Sequence, residues 1–127
     1  MVSKKQTKIL LVDDEPSILV ALEFLVKKEG YTVYMATDGK DALKKVEQIK
    51  PRLIVLDVMM PGMDGLEVAK KIRASKDLDQ IPIIFLTAKG TQEDRLKGYD
   101  SGGEVYITKP FDNQHLIDTI NEVAEFG

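Results

Sequence analysis

Two kinds of hydrophobic pattern alternate along this chain. Short apolar runs that are rich in β-branched residues are typical of strands, and five of them lie at residues 9–12, 33–36, 53–56, 83–86 and 105–107. The first, third and fourth runs are continuously apolar, which is typical of strands that are covered on both faces. The pattern therefore predicts five strands, three of which are buried on both sides.

Between these runs, apolar residues recur at helical spacing. The first helix is expected to start near Pro16, which suits a first helical turn, and to end at Gly30. Pro51 closes the second helix, residues 91–99 form a weakly patterned fourth helix, and Asp112 is the predicted N-cap of the last. The apolar positions of the five helices are Ile18, Leu22, Leu25 and Val26; Ala42, Leu43, Val46 and Ile49; Leu66, Ala69 and Ile72; Leu96; and Leu116, Ile117, Ile120, Val123 and Ala124.

The order of these elements predicts the fold class. Strands that alternate with helices at this spacing predict a parallel sheet with helices on both faces, a doubly wound α/β fold built from five βα units. The crossovers are expected to be right-handed. In such sheets, ligands bind outside the carboxyl ends of the strands, near the point where the strand order reverses. The candidate site should therefore lie directly after the strands.

Polar residues follow four of the predicted strands. They are Asp13, Asp14 and Glu15 after the first strand, Asp57 after the third, Thr87 after the fourth, and Thr108 and Lys109 after the fifth. Because the carboxyl ends of parallel strands meet at one edge of a sheet, this order brings polar side chains together in one shallow site. The site gains three carboxylates from Asp13, Asp14 and Asp57, one hydroxyl from Thr87 and one ammonium from Lys109.

This set of side chains favours phosphate chemistry on a metal ion. Clustered carboxylates repel one another unless a cation lies among them, and oxygen ligands without imidazole or thiolate suit Mg²⁺. Lys109 would then neutralise a phosphoryl oxygen, and the Thr87 hydroxyl would donate to another. Asp57 is the candidate nucleophile because it stands alone after a central apolar strand, whereas Asp13 and Asp14 are paired and suit the metal.

Each of these residues also has an ordinary structural interpretation. Residues 13–15 could only cap the first helix, Thr87 could be a plain strand-end residue, and Lys109 could be a solvated surface charge. The single histidine, His115, is interpreted as an exposed helix residue, and the methionines of residues 59–63 as core or loop packing rather than as a soft metal site.

Composition narrows the class of protein. The 127 residues suit about one domain, predicted as a polar tail over residues 1–7 and a folded unit over residues 8–127. The absence of cysteine excludes disulfides and thiolate metal sites. A net charge of −3 argues against nucleic-acid binding. No apolar run approaches the roughly 20 residues of a membrane span, so a cytoplasmic protein without membrane contact is expected.

Four segments together carry a resemblance to a known family. Residues 11–15 (LVDDE), 56–65 (LDVMMPGMDG), 86–88 (LTA) and 106–111 (YITKPF) closely resemble the receiver domain of bacterial two-component response regulators, in its single-domain chemotaxis form. The resemblance implies a three-layer, flavodoxin-like (βα)₅ fold with strand order 2-1-3-4-5. It also implies that Asp57 is phosphorylated by a phosphohistidine on a sensor histidine kinase or a histidine phosphotransfer protein.

The same resemblance implies a role for each site residue. Asp14, Asp57 and the backbone carbonyl of Met59 would bind Mg²⁺ directly, and Asp13 would bind it through water. Lys109 would neutralise the phosphoryl group, and its bond to the following proline is expected to be cis.

Phosphorylation is then expected to switch an output surface. By the same resemblance, Thr87 would move toward the phosphoryl group and Tyr106 would rotate inward behind it. The face built from the fourth helix, the fifth strand and the fifth helix would change and control a downstream protein. The chain would be a signalling switch that catalyses its own phosphotransfer and slow dephosphorylation, as a monomer or a phosphorylation-dependent dimer.

Some positions depart from the usual family pattern. Residues 101–105 (SGGEV) place two glycines at the entry to the fifth strand, which should loosen it. Met59 and Lys89 lie two residues beyond Asp57 and Thr87, at positions that tune dephosphorylation in the family. Because Met59 cannot orient a water by hydrogen bonding, we expect the phosphorylated form to last for minutes or longer.

Other functions fit the sequence less well. An aspartyl phosphatase would carry an acid–base aspartate where Met59 stands, and a flavin carrier would have a phosphate-cradling loop where residues 13–15 are acidic. No DNA-binding segment follows Phe126, so the expected output is a protein contact. A stand-alone regulator is favoured, and a receiver excised from a larger regulator is the alternative.

Overall fold

The five apolar runs form one parallel sheet in the computed structural model, which describes residues 4–88 and 105–126. The strands lie in the order β2-β1-β3-β4-β5, so the predicted doubly wound topology and strand order are confirmed. Their bounds are β1 (Lys8–Val12), β2 (Thr32–Ala36), β3 (Leu53–Asp57), β4 (Ile83–Ala88) and β5 (Val105–Lys109). The strand order reverses between β1 and β3, the two strands whose carboxyl ends carry the acidic residues.

Three strands extend past their apolar runs. β3 continues to Asp57, β4 to Ala88 and β5 to Lys109, because the polar residues still pair in the ladder. Asp57 lies opposite Leu86, and Ala88 lies opposite Lys109. The hydrophobic pattern could not show this, since a polar side chain ends the apolar run without ending the backbone pairing. The extension fixes the site residues on the sheet itself.

Four helices lie among the described residues: α1 (Pro16–Lys28), α2 (Gly39–Ile49), α3 (Gly65–Arg73) and a C-terminal helix (Asn113–Phe126). The predicted helix over 91–99, Lys89 and residues 101–104 lie outside the described residues. The predicted tail is not wholly irregular, since Lys4–Gln6 form a 3-10 turn just before β1. None of the helices in the described ranges is long and apolar enough to cross a membrane.

The helix ends follow from local sequence. Pro16 begins α1, and Gly30 follows its end with a φ of 105°, a conformation that favours glycine. Asp38 and Asp64 cap α2 and α3, each accepting a hydrogen bond from a backbone amide of the first turn. At the C-terminal helix the carbonyl of Asp112 accepts the first helical hydrogen bond, as expected of the predicted cap.

The core lies in two layers, one on each face of the sheet. Alternate residues of β1 point to opposite faces, as strand geometry requires: Leu10 packs with α2 and α3, and Leu11 with α1 and the C-terminal helix. All five residues of β3 are buried. The central strand therefore ends in a buried carboxylate, which locates the candidate site.

Candidate functional site

Three carboxylates meet where β1 and β3 end. Asp13, Asp14 and Asp57 each offer a carboxylate oxygen, and these oxygens lie within 4.8 Å of one another. Asp13 is fully buried, Asp57 is 3% exposed and Asp14 is half-buried. The sequence separates the first two from Asp57 by more than forty positions, and the adjacency of β1 and β3 brings them together as predicted.

Backbone hydrogen bonds hold this edge in place. The amide of Asp13 donates to the carbonyl of Ala36 at 3.2 Å, which ties the end of β1 to the end of β2. The amide of Val58 donates to the carbonyl of Leu86 at 3.0 Å, which extends the pairing of β3 and β4 past Asp57. Both acidic residues therefore project from paired backbone rather than from a free loop.

The side chain of Lys109, at the end of β5, extends to both buried carboxylates. Its Nζ atom lies 3.0 Å from Oδ2 of Asp13 and 3.2 Å from Oδ1 of Asp57, and its side chain is 19% exposed. The alternative that Lys109 is a solvated surface charge is therefore wrong. The peptide bond from Lys109 to Pro110 is cis, as expected.

Burial and charge act in opposite directions on these groups. Burial raises the pKa of Asp57 to about 6, the negative charge of Asp13 adds to this, and Lys109 partly offsets it. Burial alone would lower the pKa of the Lys109 ammonium, but its hydrogen bond to Asp13 and the charges of Asp57 and Asp13 outweigh burial and raise it. Lys109 therefore remains a cation at neutral pH.

The donor set fits a hard divalent cation. Three carboxylates and one ammonium leave two negative charges in excess at neutral pH. The chain has no cysteine, and its one histidine, His115, is exposed on the C-terminal helix. Oxygen ligands alone, in a small acidic cluster, favour Mg²⁺ over softer metals.

The alternative that residues 13–15 only cap α1 explains the contact of just one carboxylate oxygen of Asp13. Glu15 occupies the cap position, but its side chain makes no capping hydrogen bond. Oδ1 of Asp13 accepts a hydrogen bond from the amide of Glu15 at 2.9 Å, and Oδ2 of Asp13 pairs with Lys109. Asp13 thus joins the start of α1 to the charged cluster.

The remaining predicted residues lie around this cluster. Thr87 is buried near the end of β4, and its hydroxyl donates to the carbonyl of Ala88 at 3.2 Å. Tyr106 on β5 is 44% exposed, and its ring stacks on Phe85 with centroids 5.7 Å apart. Met59 follows Asp57 in the loop before α3, with its side chain half exposed. Thr87 and Met59 lie at the predicted edge, whereas Tyr106 lies within β5, paired with Phe85 of β4. The roles of all three stay predictions.

One residue that shapes the site does not stand out in the hydrophobic pattern. Gly65 begins α3, and its amide donates to the carbonyl of Val58 at 2.8 Å. A Cβ atom at Gly65 would lie 2.2 Å from the carbonyl oxygen of Asp57, so any side chain would push α3 away from the site. The usable signal is a glycine directly after the Asp64 cap, where a stronger helix former would be expected.

Comparison with known proteins gives one family. The sequence model of the response regulator receiver domain matches residues 9–121. This range includes every predicted site residue and reaches from β1 into the C-terminal helix.

Solved structures agree with that match. Chemotaxis protein CheY4 of Vibrio cholerae is 33% identical with a TM-score of 0.83, over 92% of this chain and 98% of that chain. A CheY-like response regulator receiver domain protein of Methanospirillum hungatei is 30% identical with a TM-score of 0.84, over 94% and 95% of the two chains. The receiver domain of the Pseudomonas aeruginosa sensor histidine kinase PA1611 is 31% identical with a TM-score of 0.83, over 94% and 98%, and its structure has a magnesium ion coordinated in the active-site cleft.

Proposed function

The chain belongs to the response regulator receiver domain family of two-component systems, and on that premise we propose that it accepts a phosphoryl group on Asp57. The donor is a phosphohistidine on a sensor histidine kinase or a histidine phosphotransfer protein. The observation that supports this best is the partly buried Lys109 ammonium, which contacts both Asp13 and Asp57 at the carboxyl end of the central strands.

The acidic cluster is the proposed Mg²⁺ site. We assign Asp14, Asp57 and the backbone carbonyl of Met59 as direct ligands and Asp13 as a contact through water. Three carboxylates whose oxygens lie within 4.8 Å of one another supply the charge that a divalent cation needs. When bound, Mg²⁺ neutralises negative charge between the carboxylates and an incoming phosphoryl group. The magnesium ion in the cleft of the Pseudomonas receiver domain supports this assignment.

The phosphotransfer step is a displacement at phosphorus. A carboxylate oxygen of Asp57 attacks, the P–N bond of the phosphohistidine breaks, and its electron pair returns to the donor imidazole. Burial strips water from the Asp57 carboxylate, and the ammonium of Lys109 moves from carboxylate oxygens to a phosphoryl oxygen. The reaction then needs alignment and charge neutralisation rather than a protein acid or base.

Phosphorylation is proposed to act on the surface around β5. The Thr87 hydroxyl leaves the Ala88 carbonyl and donates to the phosphoryl group, and Tyr106 turns inward from its half-exposed position on Phe85. The face of the predicted fourth helix, β5 and the C-terminal helix then changes and controls a downstream protein. Because the Met59 side chain cannot orient a water by hydrogen bonding, the phosphorylated form should persist for minutes or longer.

The biological setting is also a proposal. We favour a stand-alone, cytoplasmic, single-domain regulator, a monomer or phosphorylation-dependent dimer that contacts proteins and neither nucleic acid nor membrane. The alternative is a receiver excised from a larger regulator. Domain length fits both, since the match covers 98% of the Vibrio chemotaxis protein and 98% of the Pseudomonas kinase receiver domain.

Intact mass after incubation with acetyl phosphate tests the chemistry directly. We expect a single phosphate adduct that requires Mg²⁺, disappears with EDTA and is absent in Asp57→Asn. Asp77→Asn is the matched control, because Asp77 is an exposed carboxylate outside the cluster. It should form the adduct like the wild type.

Three outcomes would contradict the proposal. An adduct that persists in Asp57→Asn would place the phosphate on another residue. No adduct from either acetyl phosphate or a phosphohistidine donor, in folded protein that binds Mg²⁺, would leave a receiver fold without phosphotransfer. Steady turnover of phosphate esters would instead favour the phosphatase alternative.

A further inference from the structure

Gly39, the first residue of α2, lies directly against the loop that follows Asp57. A Cβ atom at Gly39 would stand 2.8 Å from the Cβ and 2.9 Å from the carbonyl oxygen of Met63. Non-bonded carbon atoms pack at about 3.5–4.0 Å. Because one contacted atom is backbone and the other is next to it, rotation of the Met63 side chain cannot relieve the contact.

The start of α2 is also fixed on its own side. The Asp38 side chain accepts a hydrogen bond from the amide of Asp41 at 2.8 Å, and its carbonyl accepts one from Ala42 at 3.0 Å. The carbonyl of Ala36, at the end of β2, accepts the hydrogen bond from the amide of Asp13. The β2–α2 junction, residues 36–39, therefore contacts Asp13 on one side and Met63 on the other.

Met63 belongs to the β3–α3 loop, residues 58–64. Met59 lies in this loop between Val58 and Met60, whose side chains are buried. Met63 packs partly against the core, directly before Asp64, the N-cap of α3. Its contact with Gly39 is thus the point at which α2 limits the path of a seven-residue loop that carries the Met59 carbonyl.

We propose that Gly39 is a positioning residue for the metal site. Without a side chain, it lets the β2–α2 junction hold Asp13 and the β3–α3 loop in one arrangement, although α2 contributes no acidic residue to the cluster. The inference rests on the proposed function, which assigns Met59 and Asp57 as metal ligands. A larger residue at position 39 should displace Met63 and, through the loop, the Met59 carbonyl.

The test compares Gly39→Ala with Lys40→Ala, the next residue of α2, which is exposed. We expect Gly39→Ala to raise the dissociation constant for Mg²⁺ about three- to tenfold, below the 10–100-fold typical of deleting a group that supports a metal ligand. Calorimetric titration with MgCl₂ measures this at a temperature where both proteins are fully folded. Lys40→Ala should bind Mg²⁺ like the wild type.

Two further measurements separate positioning from a general loss of stability. In metal-free protein, the amide chemical shifts that change in Gly39→Ala should concentrate at residues 58–64. Met63→Gly removes the Cβ at the contact, so adding it to Gly39→Ala should recover part of the Mg²⁺ affinity. A glycine-to-alanine change without a clash would instead stabilise the helix and leave the affinity unchanged.

The outcomes for this inference and for the proposed function differ. Wild type that binds Mg²⁺ and accepts phosphate, with Gly39→Ala binding Mg²⁺ equally well, would overturn the positioning role alone. An equal loss of affinity in Lys40→Ala would overturn it too. Wild type that binds no Mg²⁺ would overturn both the proposed metal site and this role.

Discussion

Two carboxylates of this molecule, at opposite ends of the sheet, have pKa shifts of opposite sign. Burial raises the pKa of Asp57, at the carboxyl edge, to about 6. A hydrogen bond from Asn121, helped by one from Lys4, lowers the pKa of Glu29 below its usual 4.5, near the amino edge. Glu29 is partly exposed, and its partners favour its charge, whereas Asp57 is buried beside a second carboxylate.

The cationic side chains at the two edges also differ in the groups that they contact. At the amino edge, Arg52 donates to the carbonyls of Ala124 and Val123, at the end of the C-terminal helix. At the carboxyl edge, Lys109 is shared between two buried carboxylates and cannot balance both. Polar groups at the amino edge stabilise the fold, while the carboxyl edge keeps an excess of negative charge that a bound cation would balance.

The largest expected effect comes from removing the shared cation. Lys109→Ala leaves Asp13 and Asp57 buried without an ammonium. Breaking a buried ion pair costs about 3–5 kcal/mol, and because Lys109 is 19% exposed we expect a loss of about 2–3 kcal/mol in the free energy of unfolding at neutral pH. Urea unfolding in EDTA measures it, and added Mg²⁺ should restore most of the loss.

Lys27→Ala is the matched control for that loss. Lys27 pairs with Glu23 at 2.9 Å on the surface of α1, with 57% of its side chain exposed. We expect a change within about 0.5 kcal/mol. Equal losses in the two variants would show that burial does not distinguish the site cation, and the comparison would fail.

The second effect has the opposite sign. Asp57 has a folded pKa of about 6 against its usual 3.8, so the native state holds the proton more tightly than the unfolded chain. Its contribution to stability is complete below 3.8 and is lost as the pH rises through about 6. Asp57→Asn should therefore stabilise the metal-free protein by on the order of 2 kcal/mol at about pH 8.

The pH dependence of that gain is its test. Unfolding in EDTA across a pH series should show the gain shrinking toward about pH 4, where the wild-type carboxyl is largely protonated. In excess Mg²⁺ the order should reverse, because the wild type keeps the Asp57 carboxylate as a ligand and gains more stability from the metal than Asp57→Asn. A gain that is independent of pH would mean that charge burial is not its cause.

A smaller effect is expected at the amino edge. Arg52→Met keeps an apolar side chain but removes the donors to Ala124 and Val123. We expect a loss of about 1 kcal/mol in the free energy of unfolding, with Mg²⁺ affinity and the phosphate adduct unchanged. If folded Arg52→Met lost Mg²⁺ affinity, the amino edge would also influence the metal site. The two edges would then not have separate roles.

The sequence was sufficient to place most of the site. A buried parallel strand must end at the common edge, so Asp57 after an apolar run and Asp13 after another had to be neighbours once the sheet order was known. The predicted position of Lys109 at the same edge is confirmed as well. The position of each of these residues could be predicted because it comes at the end of a strand that the local hydrophobic pattern identifies.

Contacts between distant segments could not be predicted in this way. The closeness of Gly39 to Met63 and of Gly65 to the Asp57 carbonyl depends on how α2 and α3 pack on the sheet, which no local pattern encodes. The hydrogen bond from Tyr31 to Asn121 joins residues that are 90 positions apart. Polar strand ends such as Lys109 were likewise missed as strand residues, since backbone pairing continues after the apolar run stops.

The smallest expected effect tests the other half of the comparison. Because the pKa of Glu29 is lowered, its contribution to stability is present above 4.5 and is lost as the pH falls through its lower folded value. Glu29→Gln should therefore cost about 0.3–0.5 kcal/mol at neutral pH and nothing in acid, with the cost reduced by added salt. Urea unfolding at both pH values measures it. A loss above about 1 kcal/mol would mean that the Glu29 contacts are not those of a solvent-screened group, because exposed pairs seldom contribute that much.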